Sequence, residues 1–290
     1  MGRVIYGLVG HSITHSLSPI VHRAAFEASG IDAEYRLFDF EPNRPDDLAN
    51  FCYEVDLNGV GGFSVTTPYK QTILAYLDHY DPLAKIIGAV NTIKIESDPK
   101  RHAPVLIGYN TDSTGALEAL NELTKVAGKR ALVLGAGGAG RAVVYSLKEA
   151  GADVHVYNRT PDKAELLADE FDVNAIEYRL IKKSCNFDLI INTTSVGSAP
   201  LSSESLLHAD QIRSGAVVMD LVTFPLRTQL LKEAAKAGAQ TITGERMLLH
   251  QAADQFKIWF SRPAPLEAME KALKKELAAT LWQRKSKPPV

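Results

Sequence analysis

The sequence predicts an α/β protein of two domains, and three observations support this fold class. Short apolar runs alternate with amphipathic helical segments along most of the 290 residues. Midway along the chain an apolar run leads into the glycine-rich segment Gly135-x-Gly137-x-x-Gly140. The last segments, 245–260 and 265–283, have helical patterns with no strand between them. We therefore expect an N-terminal α/β domain with a mixed sheet, a doubly wound Rossmann domain, and C-terminal helices that return to the first domain.

The first third of the chain supplies the elements of the N-terminal domain. Residues 4–9 form an apolar strand, and Ser18 with Pro19 begins a helix over 19–28, with Ser18 as its expected N-cap. The other expected strands are 35–40, 62–66, 91–95 and 105–107, and the other expected helices are 46–55, 69–77 and 82–87. We expect this domain to cover residues 1–111.

A second alternation follows, beginning with a helix over 113–125 for which Asp112 is a suitable N-cap. The strands expected after it are 131–134, 153–157, 188–192 and 216–220, and the helices are 141–150, 162–170 and 228–237. This is the pattern of a doubly wound nucleotide-binding domain, which we expect over 112–243. The helices in 244–290 are then predicted to pack on the first domain.

The glycine-rich segment indicates a dinucleotide site. Gly135 allows a tight turn after the strand, Gly137 lets the backbone approach a pyrophosphate, and Gly140 lets the following helix pack closely on the strand. Gly138 and Ala139 lie between these glycines at the expected cofactor site, before the helix whose N-terminus attracts the anion. An apolar strand before the motif and a helix after it are the context that the motif requires.

The end of the next strand indicates which dinucleotide is bound. NAD-binding domains usually carry Asp or Glu about 20 residues after the motif, where it holds the ribose 2′-hydroxyl. This chain has Asn158, Arg159 and Thr160 there, with Lys163 one turn later. A carboxylate repels a 2′-phosphate, whereas a guanidinium and a hydroxyl bind it. The sequence therefore predicts NADP; the alternative is a solvated helix start before Pro161.

Composition argues against several other classes. The formal net charge of −2 predicts neither nucleic-acid binding nor membrane binding. Cys52 and Cys185 lack metal-site spacing, so we expect two reduced, buried thiols. His11 and His15 lie four residues apart in an expected loop, without the pattern of a helical zinc site, so we expect no metal. The N-terminal apolar run is too short for a signal peptide or a membrane span, which predicts a cytoplasmic protein.

Seven short motifs occur in order along nearly the whole chain. They are Ser16-Leu17-Ser18-Pro19, the run from Ser64 to Lys70, the run from Gly88 to Thr92, Asn110-Thr111-Asp112, the glycine-rich motif, Asn158-Arg159-Thr160 and Gln251-Ala252-Ala253. In this order and spacing the chain resembles the shikimate dehydrogenase family. The resemblance implies NADPH-dependent reduction of 3-dehydroshikimate to shikimate, in a cleft between a substrate domain and the NADP domain of a monomer or homodimer.

The expected catalytic residues are Lys70 and Asp112. Reduction of a ketone by hydride needs a proton donor for the developing alkoxide. Lys70 is a cation that can stabilise an oxyanion and give up a proton; the alternative, a solvated residue in the first turn of a helix, opposes the helix dipole. Asp112 can orient that ammonium and a substrate hydroxyl, or it can simply cap its helix. The resemblance assigns both residues to catalysis.

The other site residues follow from the same resemblance. Ser16 and Ser18 offer hydroxyl donors to the substrate carboxylate, and a polyhydroxylated ring needs neutral hydrogen-bonding groups. These groups are expected to be Thr66, Asn91 and Gln251, for which an exposed strand threonine, a turn asparagine and a surface glutamine are the alternatives. Thr194 and Gly244 are expected at the cofactor, and Met247 either lines the nicotinamide or belongs to the core.

The chain departs from the family pattern at four positions. Ser64 stands where Asn is usual, Thr67 replaces Val or Ile, and Thr243 replaces an acidic or amide residue. Thr223 stands where the family usually places a Tyr that contacts substrate. These departures concern substrate discrimination, and Thr223 remains an expected substrate contact.

Other functions remain to be weighed against the leading one. A quinate/shikimate or aminoshikimate dehydrogenase has the same scaffold, but Arg159 and the serine pair favour shikimate with NADP. A non-catalytic NADP-sensing regulator needs neither Lys70 nor Asp112. A relative that reduces an aminoacyl-RNA thioester needs a nucleophilic Cys and a basic surface, and the sequence offers neither.

Overall fold

The computed structural model describes residues 3–55, 58–98, 100, 103–181 and 186–285. Contacts divide the chain into two compact units. Unit 1 consists of Met1–Tyr80, Asn91–Tyr109 and Ala252–Val290, and unit 2 consists of Asp81–Val90 and Asn110–Gln251. No helix in the described ranges is long and apolar enough to cross a membrane.

Unit 1 contains a mixed six-stranded sheet. Its strands are β1 (Val4–Gly10), β2 (Ala33–Asp39), β3 (Val60–Val65), β4 (His79–Tyr80), β5 (Thr92–Ser97) and β6 (Pro104–Tyr109). The order is β2-β1-β3-β5-β6-β4; β1 pairs in parallel with β2 and β3, and β5 is antiparallel to β3 and β6. The helices are α1 (Ser18–Ala28), α2 (Pro45–Tyr53) and α10 (Leu266–Lys285), and α10 packs against α1.

Unit 2 contains a second six-stranded sheet, in which every pairing is parallel. Its strands are β7 (Arg130–Leu134), β8 (Asp153–Tyr157), β9 (Asn174–Ala175), β10 (Leu189–Asn192), β11 (Val217–Asp220) and β12 (Gln240–Ile242). The helices are α3 (Pro82–Ile87), α4 (Asp112–Asn121), α5 (Gly138–Glu149), α6 (Pro161–Phe171), α7 (Tyr178–Ile181) and α8 (Gln229–Lys236). The order β12-β11-β10-β7-β8-β9 reverses direction between β7 and β10, as in a doubly wound dinucleotide-binding sheet.

The core of unit 2 explains this architecture. Ala131 and Val133 of β7 belong to one buried apolar cluster, and Leu132 and Leu134 belong to another. Successive side chains of a strand point to opposite faces, so both faces of the sheet are covered. The predicted α/β fold with a mixed sheet and a doubly wound sheet is confirmed. The helix between these elements and α10 is α9 (Gly244–Phe260), whose first half belongs to unit 2 and whose second half belongs to unit 1.

Several local predictions were wrong. The helix expected over 69–77 is a short 3₁₀ helix, Thr72–Tyr76, in a segment where Thr72 and Ile73 are weak helix formers. The helix expected over 113–125 begins at Asp112 and ends at Asn121. The short strands β4, β9 and β12 were not expected, because two- and three-residue segments carry no periodicity.

Cys52 is a buried free thiol, whereas Cys185 lies outside the described residues.

Candidate active site

The glycine-rich turn of unit 2 is shaped to admit a phosphate. Gly135 has a φ of +116°, and a Cβ on Gly140 would collide with the carbonyl oxygen of Gly135, so both positions require glycine. Gly137, by contrast, has open space where a Cβ would stand. Gly137 is also the N-cap of α5 and makes no side-chain cap, so the first-turn amides of Gly138 and Ala139 face that space uncapped. The turn therefore fits a pyrophosphate.

The end of β8 supplies the residues predicted to select the dinucleotide. Asn158 is half-buried: its Oδ1 accepts a hydrogen bond from the Ala136 N–H at 3.2 Å, and its Nδ2 donates to the Thr160 carbonyl at 2.9 Å. Arg159, Thr160 and Lys163 are exposed. Unit 2 thus places the exposed side chains of this segment beside the glycine-rich turn.

Three further predicted cofactor residues lie in unit 2. Thr194 lies against the glycine-rich turn, with its Cγ2 2.9 Å from where a Cβ of Gly135 would stand. Gly244 packs closely on the loop that follows β11, where a Cβ on Gly244 would be 2.6 Å from the carbonyl oxygens of Leu221 and Val222. Met247 is 5% exposed and belongs to the core, which agrees with the second of its two expected roles.

The serine pair of unit 1 differs from its prediction in one respect. Ser18 is not the N-cap: α1 begins at Ser18, and the N-cap is Leu17, whose side chain makes no capping hydrogen bond. The hydroxyl of Ser16 instead accepts from the Ser18 N–H and donates to Ser18 Oγ, both at 3.2 Å. The two hydroxyls therefore lie side by side, as binding of one carboxylate requires.

A buried polar network extends from this serine pair. The hydroxyl of Tyr35 contacts Ser64 Oγ at 3.0 Å and is also a hydrogen-bond partner of Ser18. Ser64 donates in turn to Gln255 Oε1 at 3.0 Å. Since Ser64 has one hydrogen and gives it to Gln255, Tyr35 must donate to Ser64. Burial raises the pKa of the Tyr35 phenol, so it remains protonated and able to donate.

His22 lies at the other end of the network. Its Nε2 is 3.0 Å from Gln255 Oε1, and because an amide oxygen can only accept, Nε2 carries the hydrogen. The His22 ring stacks on Tyr35 with centroids 4.5 Å apart, and burial lowers the pKa of His22 to about 3. Gln255 Nε2 donates to the backbone oxygen of Asn91 at 3.5 Å, so the network also supports a predicted substrate residue.

Sequence analysis missed Tyr35, His22 and Gln255. A signal was present: His22 lies one turn after Ser18, and Gln255 lies one turn after Gln251, so each is a polar residue on the same helix face as a predicted site residue.

Asn91, Thr66 and Lys70 occupy turns at the ends of unit 1 strands. The hydroxyl of Thr92 donates to Asn91 Oδ1 at 2.9 Å, which sets the orientation of the Asn91 amide. The Thr66 N–H donates to the Val9 carbonyl at 2.9 Å, and Thr66 is half-buried. Lys70 is half-buried in a turn that precedes the 3₁₀ helix. The alternative reading of Lys70 as a residue in the first turn of a helix is therefore wrong.

Asp112 is buried at the start of α4 and does not cap the helix. The helix is capped by Asn110, whose Oδ1 accepts from the N–H groups of Asp112 and Ser113 at 3.0 and 3.3 Å. Asn110 Nδ2 donates to the Ala89 carbonyl at 2.8 Å, which fixes the amide. The alternative reading of Asp112 as a capping residue is wrong, because a different side chain fills that role.

Gln251 is held in place by the contact between α4 and the first half of α9. A Cβ on Gly115 would lie 2.9 Å from the Cβ of Gln251, so the two helices meet closely there. Glu122 also binds this part of α9 through Arg246 Nε and His250 Nε2, at 2.8 and 2.7 Å. Partial burial raises the pKa of the Glu122 carboxyl, but these hydrogen bonds outweigh that effect and hold the pKa below its ordinary value. Thr223 is half-buried in the loop that follows β11.

Known proteins are similar to this chain over nearly its whole length. Three family models match the chain: the shikimate dehydrogenase substrate binding domain over 8–93, shikimate / quinate 5-dehydrogenase over 117–225, and the shikimate 5'-dehydrogenase C-terminal domain over 244–274. The shikimate dehydrogenase (NADP(+)) of Methanothermobacter thermautotrophicus is 43% identical over 282 residues, which cover 94% of this chain and 96% of that protein.

Solved structures show the same relationship. A shikimate dehydrogenase in complex with NADP+ is 39% identical, with a TM-score of 0.85, and the match covers 95% of this chain and 96% of that one. The enzyme of Thermus thermophilus, solved with NADP(H) and shikimate, is 37% identical with a TM-score of 0.82, over 94% and 99% of the two chains. The relatives named here are NADP-dependent shikimate dehydrogenases, and this chain belongs to the shikimate dehydrogenase family.

Proposed function

We propose that this chain reduces 3-dehydroshikimate to shikimate with NADPH, using Lys70 and Asp112 as its catalytic residues. The shape of the glycine-rich turn carries the proposal: an uncapped helix N-terminus opens on space that Gly137 leaves empty. When bound there, NADPH supplies a hydride to the substrate carbonyl carbon. The glycine-rich turn of unit 2 binds the dinucleotide. The net charge and the reduced Cys52 suit a cytoplasmic enzyme.

Within unit 2, the segment after β8 selects the cofactor. Asn158 is committed to the glycine-rich turn, so Arg159, with Thr160 and Lys163, binds the 2′-phosphate. Thr194 lies on the loop next to that turn and Gly244 begins α9, and both contact the rest of the dinucleotide. Residues 158–160 include no carboxylate that would repel the phosphate.

Within unit 1, the neighbouring hydroxyls of Ser16 and Ser18 bind the substrate carboxylate, and Thr66 and Asn91 bind ring hydroxyls. Gln251 also binds the ring hydroxyls, and Thr223 stands in the place of the family tyrosine. The Lys70 ammonium stabilises the oxygen as it gains charge and gives it a proton. Asp112 accepts a hydrogen bond from the substrate hydroxyl, which orients the ring.

Initial rates of the wild-type protein test this function. Oxidation of shikimate should proceed with NADP+, and kcat/KM should be at least about ten-fold lower with NAD+, which lacks the phosphate. Binding of NADP+ without any turnover of shikimate would contradict the enzyme and favour the regulator. Turnover that prefers NAD+ would contradict the assignment of Arg159.

A further inference from the structure

Two buried polar residues end neighbouring strands of unit 2. Asn192 is the last residue of β10 and Asp220 the last of β11, and the two are directly paired in the sheet. They are 1% and 0% exposed. Asn192 Nδ2 donates to Asp220 Oδ1 at 3.0 Å. Loops that follow the carboxyl ends of parallel strands form the ligand sites of such sheets, so this pair lies at the base of two functional loops.

Asn192 organises the first loop, residues 193–198. Its Oδ1 accepts from both the N–H and the hydroxyl of Thr194, at 3.0 and 2.7 Å, and its Nδ2 donates to the Val196 carbonyl at 3.0 Å. Together with the bond to Asp220, all four hydrogen-bonding positions of the amide are used. The side chain therefore has one orientation, and the loop is fixed relative to it.

Asp220 organises the second loop, residues 221–225. Its Oδ1 also accepts from the Val222 N–H at 3.0 Å, and its Oδ2 accepts from the Thr228 hydroxyl at 2.6 Å. Burial raises the pKa of Asp220 to about 6, against the three hydrogen bonds that lower it, so the group is largely ionised at neutral pH. A buried carboxylate is costly unless its donors are all in place. The three donors to Asp220 lie in the two loops or directly beside them.

The two loops also touch each other. Ser198 Oγ donates to the Phe224 carbonyl at 3.3 Å. Gly197 has a φ of +96°, and a Cβ there would stand 3.3 Å from Thr228 Cβ. The Leu221 N–H donates to the Asn192 carbonyl at 3.0 Å. Loops 193–198 and 221–225 are therefore packed together.

The first loop contacts the dinucleotide turn, and the second contacts the start of α9. The Thr193 hydroxyl donates to the Leu134 carbonyl at 2.9 Å, immediately before Gly135. Gly244 packs on the carbonyl oxygens of Leu221 and Val222. A shift of the first loop would therefore move the surroundings of the glycine-rich turn, and a shift of the second would move Gly244, an expected NADP contact.

We propose that Asn192 and Asp220 are positioning residues of the dinucleotide site, which hold loops 193–198 and 221–225 together and thereby set the affinity for NADP. The proposal rests on the proposed function, in which Thr194 and Gly244 contact NADP and Thr223 contacts substrate. Neither Asn192 nor Asp220 touches the reacting atoms. Loss of the pair therefore weakens binding and leaves the chemical step nearly unchanged.

Asp220→Asn tests the proposal with little change of shape. An amide has one acceptor oxygen, so its NH₂ must face a group that donates to the wild-type carboxylate, and one loop contact is lost. We expect Kd and KM for NADP+ to rise about ten-fold, with kcat within about three-fold of wild type. Asp188→Asn is the matched control, because Asp188 precedes the same strand β10 at its other end, where it accepts from the Arg130 N–H at 2.9 Å. Its Kd for NADP+ should stay within about two-fold of wild type.

Thr228→Val keeps the test decisive if Asp220→Asn does not fold. Valine has nearly the same shape, leaves Asp220 one donor short and also removes the cap that Thr228 Oγ1 gives the Leu231 N–H of α8 at 3.3 Å. We expect a smaller rise of Kd for NADP+, about three-fold, again with kcat retained. Wild-type Kd in both variants, or equal weakening in Asp188→Asn, would overturn the positioning role. Failure of the wild type to bind NADP+ would instead overturn the proposed function.

Discussion

The side chain of Asn158 accepts a hydrogen bond from the Ala136 N–H at 3.2 Å, so the end of β8 is bound to the glycine-rich turn. The same asparagine donates to the Thr160 carbonyl, which fixes the chain on either side of Arg159. Arg159 is itself exposed and follows the anchored residue directly. The backbone on both sides of Arg159 is therefore already ordered. Binding of a phosphate to the Arg159 side chain does not have to overcome the entropic cost of ordering that backbone.

The first prediction concerns the choice of cofactor. Arg159→Ala should lower kcat/KM for NADP+ about ten- to a hundred-fold, because a charge-assisted hydrogen bond to phosphate contributes about 1.5–3 kcal/mol. Rates with NAD+ should change little, since NAD+ has no 2′-phosphate. Arg179→Ala removes an exposed arginine that pairs with Glu177, and serves as the control. Equal losses with both cofactors would mean that Arg159 stabilises the fold rather than binding phosphate.

The second prediction concerns stability at low pH. His22 has a pKa of about 3 in the folded protein and about 6.5 when unfolded, so the unfolded chain binds more protons between these values. The free energy of unfolding therefore falls as the pH drops through this window, by about 2 kcal/mol between pH 6.5 and pH 5 from His22 alone. Chemical denaturation of the wild type and of His22→Phe, which keeps a ring beside Tyr35, measures this contribution.

The variant should be less stable at neutral pH but should lose less stability on acidification. Asp220 acts in the opposite sense, since its raised pKa favours the folded state as the pH falls below about 6, but it contributes equally to both proteins. Identical slopes for wild type and His22→Phe would show that the histidine does not titrate in this way.

The third prediction concerns substrate discrimination at Thr223. Its hydroxyl is attached at Cβ and does not reach as far as the phenol of the usual tyrosine, so in the proposed site we expect one hydrogen bond to the substrate carboxylate to be missing. Thr223→Tyr should lower KM for shikimate by up to about ten-fold and reduce turnover of quinate, whose extra hydroxyl needs the space. A higher KM for shikimate, or a wild type with no quinate turnover, would contradict this account of the pocket.

The sequence predicted those parts of the molecule that depend on local pattern. The strand at 131–134, the three glycines and the parallel sheet around them follow from apolar periodicity and backbone sterics, and the structure has them at the expected positions. The matches to known relatives confirm the family that the motifs indicated. The roles of individual site residues remain predictions.

Features that depend on distant residues were not predictable in this way. Ser18 and Asp112 looked like N-caps, but Leu17 is the N-cap of α1 and Asn110 supplies the cap of α4, because the backbone conformation before each helix decides which side chain can reach. Gln255 meets Ser64 across 191 positions of sequence. No local pattern marks such a contact, since it exists only after the sheet and α9 have formed.

The most direct test of the account is the kinetics of Lys70→Ala. Proton transfer by a positioned group contributes roughly 10²–10⁴-fold, so kcat should fall at least about a hundred-fold while KM for shikimate and Kd for NADP+ stay near wild type. Lys70→Arg should also have a low kcat, because arginine keeps the positive charge but does not release a proton near neutral pH. A Lys70→Ala enzyme that retained most of its kcat would contradict the central claim that this lysine performs the proton transfer.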